Sequence, residues 1–181
     1  MMAAMNRAQW LLARFDGTEY RVCRSLNRAA RWPWFLAIMR ISSRLGDGEL
    51  WVALIIALPL LYGSAAIRVS LIMAATGLSG YLIYRSLKAT LVRERPFIRH
   101  PGIDMVMSPL DRYSFPSGHT LHAVSLSWQA VAHYPQLAWV LVPASSLIAL
   151  SRVVLGLHYP TDVLAGAAIG AVLAGCGLAI A

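Results

Sequence analysis

The chain has 181 residues, 58% of them hydrophobic and only 13% charged, a balance that excludes an ordinary soluble domain and points to a multi-pass membrane protein. Its formal net charge is +8, and eight of its sixteen Lys and Arg residues fall in the first 49 positions. In so apolar a chain, that basic character points to anionic lipid headgroups or a phosphate substrate and not to nucleic acid.

The length suits a single domain over 1–181. Arg7, Arg14, Arg21, Arg24 and Arg28 interrupt any stretch long enough for a signal-peptide core. Between them Trp10, Leu11, Phe15, Val22 and Leu26 recur at helical spacing, the pattern of an amphipathic helix on a membrane surface. Trp32-Pro33-Trp34 breaks the chain and supplies interfacial aromatics. A second short helix is expected over 34–45, carrying Arg40 and Arg44 and too short to span comfortably. A turn, Gly46-Asp47-Gly48, follows.

Residues 50–66 and 67–87 are apolar runs close to spanning length, linked at Gly63-Ser64. Residues 88–118 form a polar loop rich in charge and proline, the kind of connection that carries function. Further spans are expected over 119–134, 137–155 and 161–181, the last rich in Gly and Ala and suited to close packing. Cys23 and Cys176 make no metal motif and demand no disulfide. The expected fold is all-α: about five transmembrane spans over 50–181, preceded by amphipathic interfacial helices over 1–45. Counting spans puts the turns at 63–66 and 134–136 on one membrane face. The segments 46–49, 88–118 and 152–160 share the other, so the polar segments converge.

Three of those segments carry chemistry. Lys88, Arg95 and Arg152 are cations at helix ends. Singly they snorkel; together, beside two histidines, they suit a bound anion, with Arg offering a planar fork to phosphate oxygens and Lys a point charge. Ser117-Gly118-His119 opens a helix whose free N–H groups can cradle phosphate, although Ser117 also fits a plain N-cap. His158 and Asp162 are four apart. The carboxylate can fix the tautomer of His158 and free Nε2 to attack phosphorus, leaving His119 to protonate the leaving group and later activate water. No metal-binding cluster is visible, and the cations can take the place of a metal in stabilising the transferring group. Gly46-Asp47-Gly48 fits the rim of such a site and an ordinary helix-start turn equally well. His100, just past Arg95-Pro96, is within reach of a headgroup but is mostly discounted as a site residue; His122 reads as a packed neighbour and His133 as interfacial on the opposite face.

The pattern is Lys88, six residues, Arg95-Pro96; then Pro116-Ser117-Gly118-His119; then Ser151-Arg152, five residues, His158, three residues, Asp162. In order and spacing this resembles the signature of the type 2 phosphatidic acid phosphatase superfamily, which also includes vanadium haloperoxidases and bacterial acid phosphatases. The resemblance covers 88–162 directly. It implies His158 as nucleophile, Asp162 as its orienting partner and His119 as general acid. It implies Lys88, Arg95, Ser117, Gly118 and Arg152 as phosphate ligands, with no cofactor and no metal. The spans favour the lipid phosphatase branch. Six-span relatives carry a further N-terminal span, which basic surface helices replace here, as in small bacterial polyprenyl diphosphate phosphatases.

Expected partners are a lipid phosphate or diphosphate and the bilayer, and the expected location is a bacterial inner membrane. Undecaprenyl diphosphate is the favoured substrate, against phosphatidylglycerophosphate, phosphatidic acid and lipid A phosphate. Three other readings remain: a phosphotransferase, a non-catalytic lipid-binding or transport protein, and a Ser117-His-Asp hydrolase, the last disfavoured by the lack of a nucleophile elbow. The resemblance puts the site outside the cytoplasm, and that side is weakly preferred. The positive-inside rule puts it inside if 32–45 do not cross.

Overall fold

A computed structural model describes residues 7–181, with side chains from Gly17 onward. The side chains of Trp10, Leu11 and Phe15, three of the five residues of the expected amphipathic stripe, therefore lie outside the described part. Regular structure among the described residues is entirely helical: α1 (Arg7–Ala29), α2 (Pro33–Leu45), α3 (Glu49–Tyr62), α4 (Ala65–Leu91), the single turn α5 (Pro96–Arg99), α6 (Gly118–His133), a 3-10 turn (Pro135–Leu137), α7 (Ala138–Val154) and α8 (Pro160–Ile180). The boundaries follow local chemistry. Proline opens α2, α5 and α8, where a missing N–H costs nothing. Ser117 caps α6 by accepting from Thr120 N.

Five helices, α3, α4, α6, α7 and α8, run between two ends of one bundle. At the far end Gln136 donates to the Tyr62 hydroxyl at 2.8 Å, Tyr62 stacks on Tyr134, and Arg68 donates to the Ile180 carbonyl. Of these five, α4, α7 and α8 lie in segments long and apolar enough to cross a membrane alone. The pair α2–α3, bent by 58°, reaches that standard only jointly, and α6 has 16 residues. The expected span over 50–66 is shorter than its apolar run because the chain turns at Gly63, which takes a positive φ of 78°. Leu60, Leu61, Leu71, Trp139, Val140, Leu164 and Val172 are all exposed. So large an apolar girdle suits hydrocarbon and not water.

The core of the bundle is a cluster of Trp51, Leu58, Met73, Leu126, Leu141 and Ile148. Helix α8 packs against α6 through small residues. A Cβ at Gly166 would stand 2.5 Å from the Ser117 carbonyl oxygen, and one at Gly170 equally close to that of Leu121. The two backbones touch where glycine permits, as the Gly/Ala content of 161–181 implies.

The N-terminal helices are more than surface attachments. In α1 the buried stripe is Glu19, Cys23 and Asn27, continued by Ala30 just past its end, whereas Val22 is exposed. Asn27 donates to the carbonyls of Val154 and Asp104 and accepts from Asp104 N. This inner stripe is polar because it meets polar loop backbone, and lipid does not lie there. Helix α2 buries Met39, Ser42 and Ser43. Its exposed Arg40 donates to the Val106 carbonyl of the polar loop. Ala30, three positions before α2, packs with Val154 and Leu155, and the residue after α2, Gly46, lies beside His119. Both ends of α2 thus sit at the same end of the bundle, and 32–45 do not cross it.

Candidate active site

Segments far apart in sequence meet at the end of the bundle opposite Gln136 and Tyr62. Lys88 lies in the last turn of α4, Arg95 in the extended residue that starts α5, and Arg152 in the last turn of α7. His119 is in the first turn of α6. Past α7 the chain reverses at Gly156, whose φ of 75° suits glycine. A Cβ there would also meet the Asp104 carbonyl at 2.8 Å. The reversal presents His158 just before α8, and its backbone N–H returns to the Arg152 carbonyl. A small cleft results, lined by Lys88, Arg95, Asp111, His119, Arg152 and His158, with Tyr84, Leu110 and Gly118 at its walls.

The His158 ring is fixed by its surroundings. Its Nε2 lies 3.4 Å from Arg95 Nη1, which also donates to the Leu157 carbonyl at 2.7 Å. Guanidinium only donates, so this contact suits a bare Nε2 and a proton on Nδ1. Nδ1 faces Asp162 Oδ2 at 3.6 Å, within ion-pair range but longer than a hydrogen bond. The expected His158–Asp162 pair is brought together without closing. Burial first, then the charges of Arg95, Arg152 and Lys88, hold the His158 pKa well below its usual 6.5, so the ring is neutral near pH 7.

Asp162 is held elsewhere. Its Oδ1 accepts from Arg93 Nη1 at 2.6 Å and its Oδ2 from Tyr159 N at 2.8 Å. Arg93 also donates to Glu19 of α1 at 2.5 Å and lies over the Tyr159 ring at 3.9 Å. The other Glu19 oxygen takes both the N–H and the hydroxyl of Thr161. A buried Glu19–Arg93–Asp162 chain therefore fixes the carboxylate behind His158. Nearby Cys23 donates its thiol to the His158 carbonyl; burial pushes that thiol up to about 12, so it is no nucleophile.

His119 Nε2 meets Asp47 Oδ1 at 2.7 Å. The Gly46-Asp47-Gly48 turn is thus part of the site. Arg152 Nη1 donates to Ser43 of α2, and its buried Nε has no hydrogen-bond partner. Lys88 and Arg95 both hold Asp111. Ser117, expected as a phosphate ligand, is fully buried and does not line the cleft; its hydroxyl is turned to Thr120, with which it makes a 3.0 Å contact, and it serves as the N-cap. His100 stacks near Tyr20 and Tyr159, away from the cleft, whereas His122 contacts the Gly77 carbonyl and Tyr84 as a packed neighbour. The sequence reading missed Glu19, Ser43, Arg93 and Asp111. Only Arg93, beside Arg95, carried a local hint.

Comparison with known proteins identifies the family. Residues 65–180 match the family model of the PAP2 superfamily. The chain is 32% identical over 124 residues to the undecaprenyl-diphosphatase BcrC of Bacillus subtilis, covering 68% of this chain and 63% of that protein, so less than two thirds of its length is spanned. It is 36% identical over 146 residues to the decaprenylphosphoryl-5-phosphoribose phosphatase of Mycobacterium tuberculosis, covering 77% and 76% of the two chains. The crystal structure of Aquifex aeolicus LpxE superposes with a TM-score of 0.74 at 26% identity, covering 88% of this chain and 93% of that one. The apolar girdle, the long apolar helices and these relatives make the chain an integral membrane protein. The matched family segment takes in every cleft residue expected from the sequence, and the chain belongs to the PAP2 superfamily.

Proposed function

We propose that the chain is a lipid phosphatase acting through a phosphohistidine at His158, with a polyprenyl diphosphate such as undecaprenyl diphosphate as substrate. The observation that carries this is His158 Nε2 lying beside Arg95 in a cleft that also holds Lys88, Arg152 and His119. Nε2 attacks the terminal phosphorus, forming a P–N bond as the P–O bond to the rest of the lipid breaks. His119 has Nε2 engaged by Asp47, so Nδ1 is the nitrogen left to protonate the departing oxygen. Water then attacks phosphorus and gives its proton to His119; the P–N bond breaks, its electron pair returns to His158 Nε2, and inorganic phosphate is released. Lys88, Arg95 and Arg152 stabilise the equatorial oxygens throughout. Gly118 and the α6 N-terminus add backbone N–H groups. The polyprenyl preference draws support from the two relatives above, both named for polyprenyl-linked substrates.

The test is acid quench of purified protein turning over lipid diphosphate labelled in its terminal phosphate. Acid-labile label on His158, lost with turnover in His158→Ala, is expected; equal phosphate release by both proteins refutes the reading. The same reading places the enzyme in a bacterial inner membrane. Since α1 and α2 share the face of the site, the positive-inside rule favours a cytoplasmic cleft over the extracytoplasmic one that the resemblance implies. A C-terminal reporter then reads as extracytoplasmic; a cytoplasmic signal reverses the assignment.

A further inference from the structure

Two of the three cations assigned to phosphate already hold an anion. Asp111 Oδ1 accepts from Lys88 Nζ and from Arg95 Nη2, each at 2.8 Å, and Oδ2 accepts from Lys88 Nζ at 2.7 Å. The Asp111 carbonyl takes Arg95 Nε at 3.2 Å. The Asp111 side chain is 39% exposed, at the cleft mouth, on a segment without helix between the exposed Leu110 and Arg112. The third cation, Arg152, keeps a buried Nε without a hydrogen-bond partner beside it. This is how a bound phosphoryl group would be held, with a carboxylate in its place. A phosphate cannot take the same N–H groups of Lys88 and Arg95 until Asp111 leaves, because two anions at that spacing repel.

We infer that Asp111 is a tethered competitor for the phosphate site and sets its charge specificity. The inference rests on the phosphatase reading above. A bilayer presents phosphodiester headgroups in vast excess, each with one negative charge on phosphorus. Asp111 carries the same single charge and is held close to the cations by its own chain, so a diester gains little by displacing it. A terminal phosphomonoester or diphosphate carries closer to two charges and three acceptor oxygens, and displaces it. The carboxylate thereby keeps abundant lipids out of a cationic cleft that opens at their depth.

The experiment compares wild type with Asp111→Asn and Asp111→Ser in detergent micelles, using inorganic phosphate and phosphatidylglycerol as probes. Binding is read both as inhibition of lipid diphosphate turnover and as the rise in unfolding temperature with added probe. The second readout needs no turnover. The expected result is that both variants bind each probe roughly tenfold or more tightly than wild type, the scale of a lost charge-assisted competitor. It also includes phosphatidylglycerol becoming an inhibitor of the variants. Unchanged or weaker probe binding by folded variants overturns the inference and makes Asp111 an organiser of the cations. Tighter phosphate binding with unchanged diester binding likewise overturns the charge-specificity claim. Absence of lipid diphosphate turnover in wild type alongside the binding shift would refute the phosphatase reading while leaving the competitor in place.

Discussion

Gly166→Ala tests how the two catalytic halves are joined. Gly166 lies against the Ser117 carbonyl, and Ser117 N donates to the Asp162 carbonyl at 3.0 Å, so this contact sets α6, with His119, against the start of α8, with Asp162. An alanine Cβ would begin 2.5 Å from that oxygen, whereas ordinary contact begins at 3.4 Å; α8 must back away by about 0.9 Å. Overpacking of this kind costs about 1–3 kcal/mol, and roughly 1 kcal/mol returns from the better helix propensity of alanine. The net effect on unfolding temperature is therefore small. A shift near 1 Å between reacting groups, however, costs about 100-fold in rate. The assay is kcat/KM on lipid diphosphate beside thermal unfolding in the same detergent. Gly175→Ala, about two and a half turns further along α8 with nothing within 4 Å of its Cβ, is the control and retains activity. A Gly166→Ala enzyme within about tenfold of wild-type kcat/KM would refute the reasoning, because the helices would then have absorbed the methyl without moving the site.

Two further outcomes are expected. Asp47→Asn keeps an acceptor for His119 but removes the charge that stabilises its protonated form; kcat drops by about tenfold to 100-fold, whereas wild-type kcat would remove Asp47 from the mechanism. The second concerns stability and pH. His158 has a folded pKa well below 6.5, so its contribution is complete above about pH 6.5 and declines as pH falls below it, because the unfolded chain takes up the proton first. The loss approaches about 1.4 kcal/mol per pH unit below 6.5, so wild type loses more unfolding temperature between pH 7 and 5 than His158→Gln does; parallel curves would show that burial leaves the ring unshifted.

The cleft was largely legible because its residues come in short, rigidly spaced blocks at helix ends. Lys88 and Arg95 flank the end of one helix, His119 opens another, and Arg152 and His158 bracket a tight reversal. Counting apolar runs then suffices to put them on one face. What escaped was held by contacts without local signature. Glu19 meets Thr161 across 142 positions and Cys23 meets the His158 carbonyl across 135. Amphipathic spacing says that α1 has an inner face but not whether lipid or protein covers it, and here protein does. Likewise Ser43 reads as a neutral residue of a surface helix until Arg152 is found beside it. Ser117 illustrates the reverse: the phosphate-cradle motif is present, but the hydroxyl itself caps the helix.

The Glu19–Arg93–Asp162 chain makes the first helix inseparable from the catalytic apparatus. Lifting α1 from the bundle would strip Arg93 of one carboxylate and leave Thr161 without its acceptor, exposing a deeply interior guanidinium that has nowhere to go. Docking of the basic segment and assembly of the nucleophile's scaffold are consequently a single folding event, so an enzyme that has not yet seated its amino-terminal helix is also one that cannot yet attack a substrate.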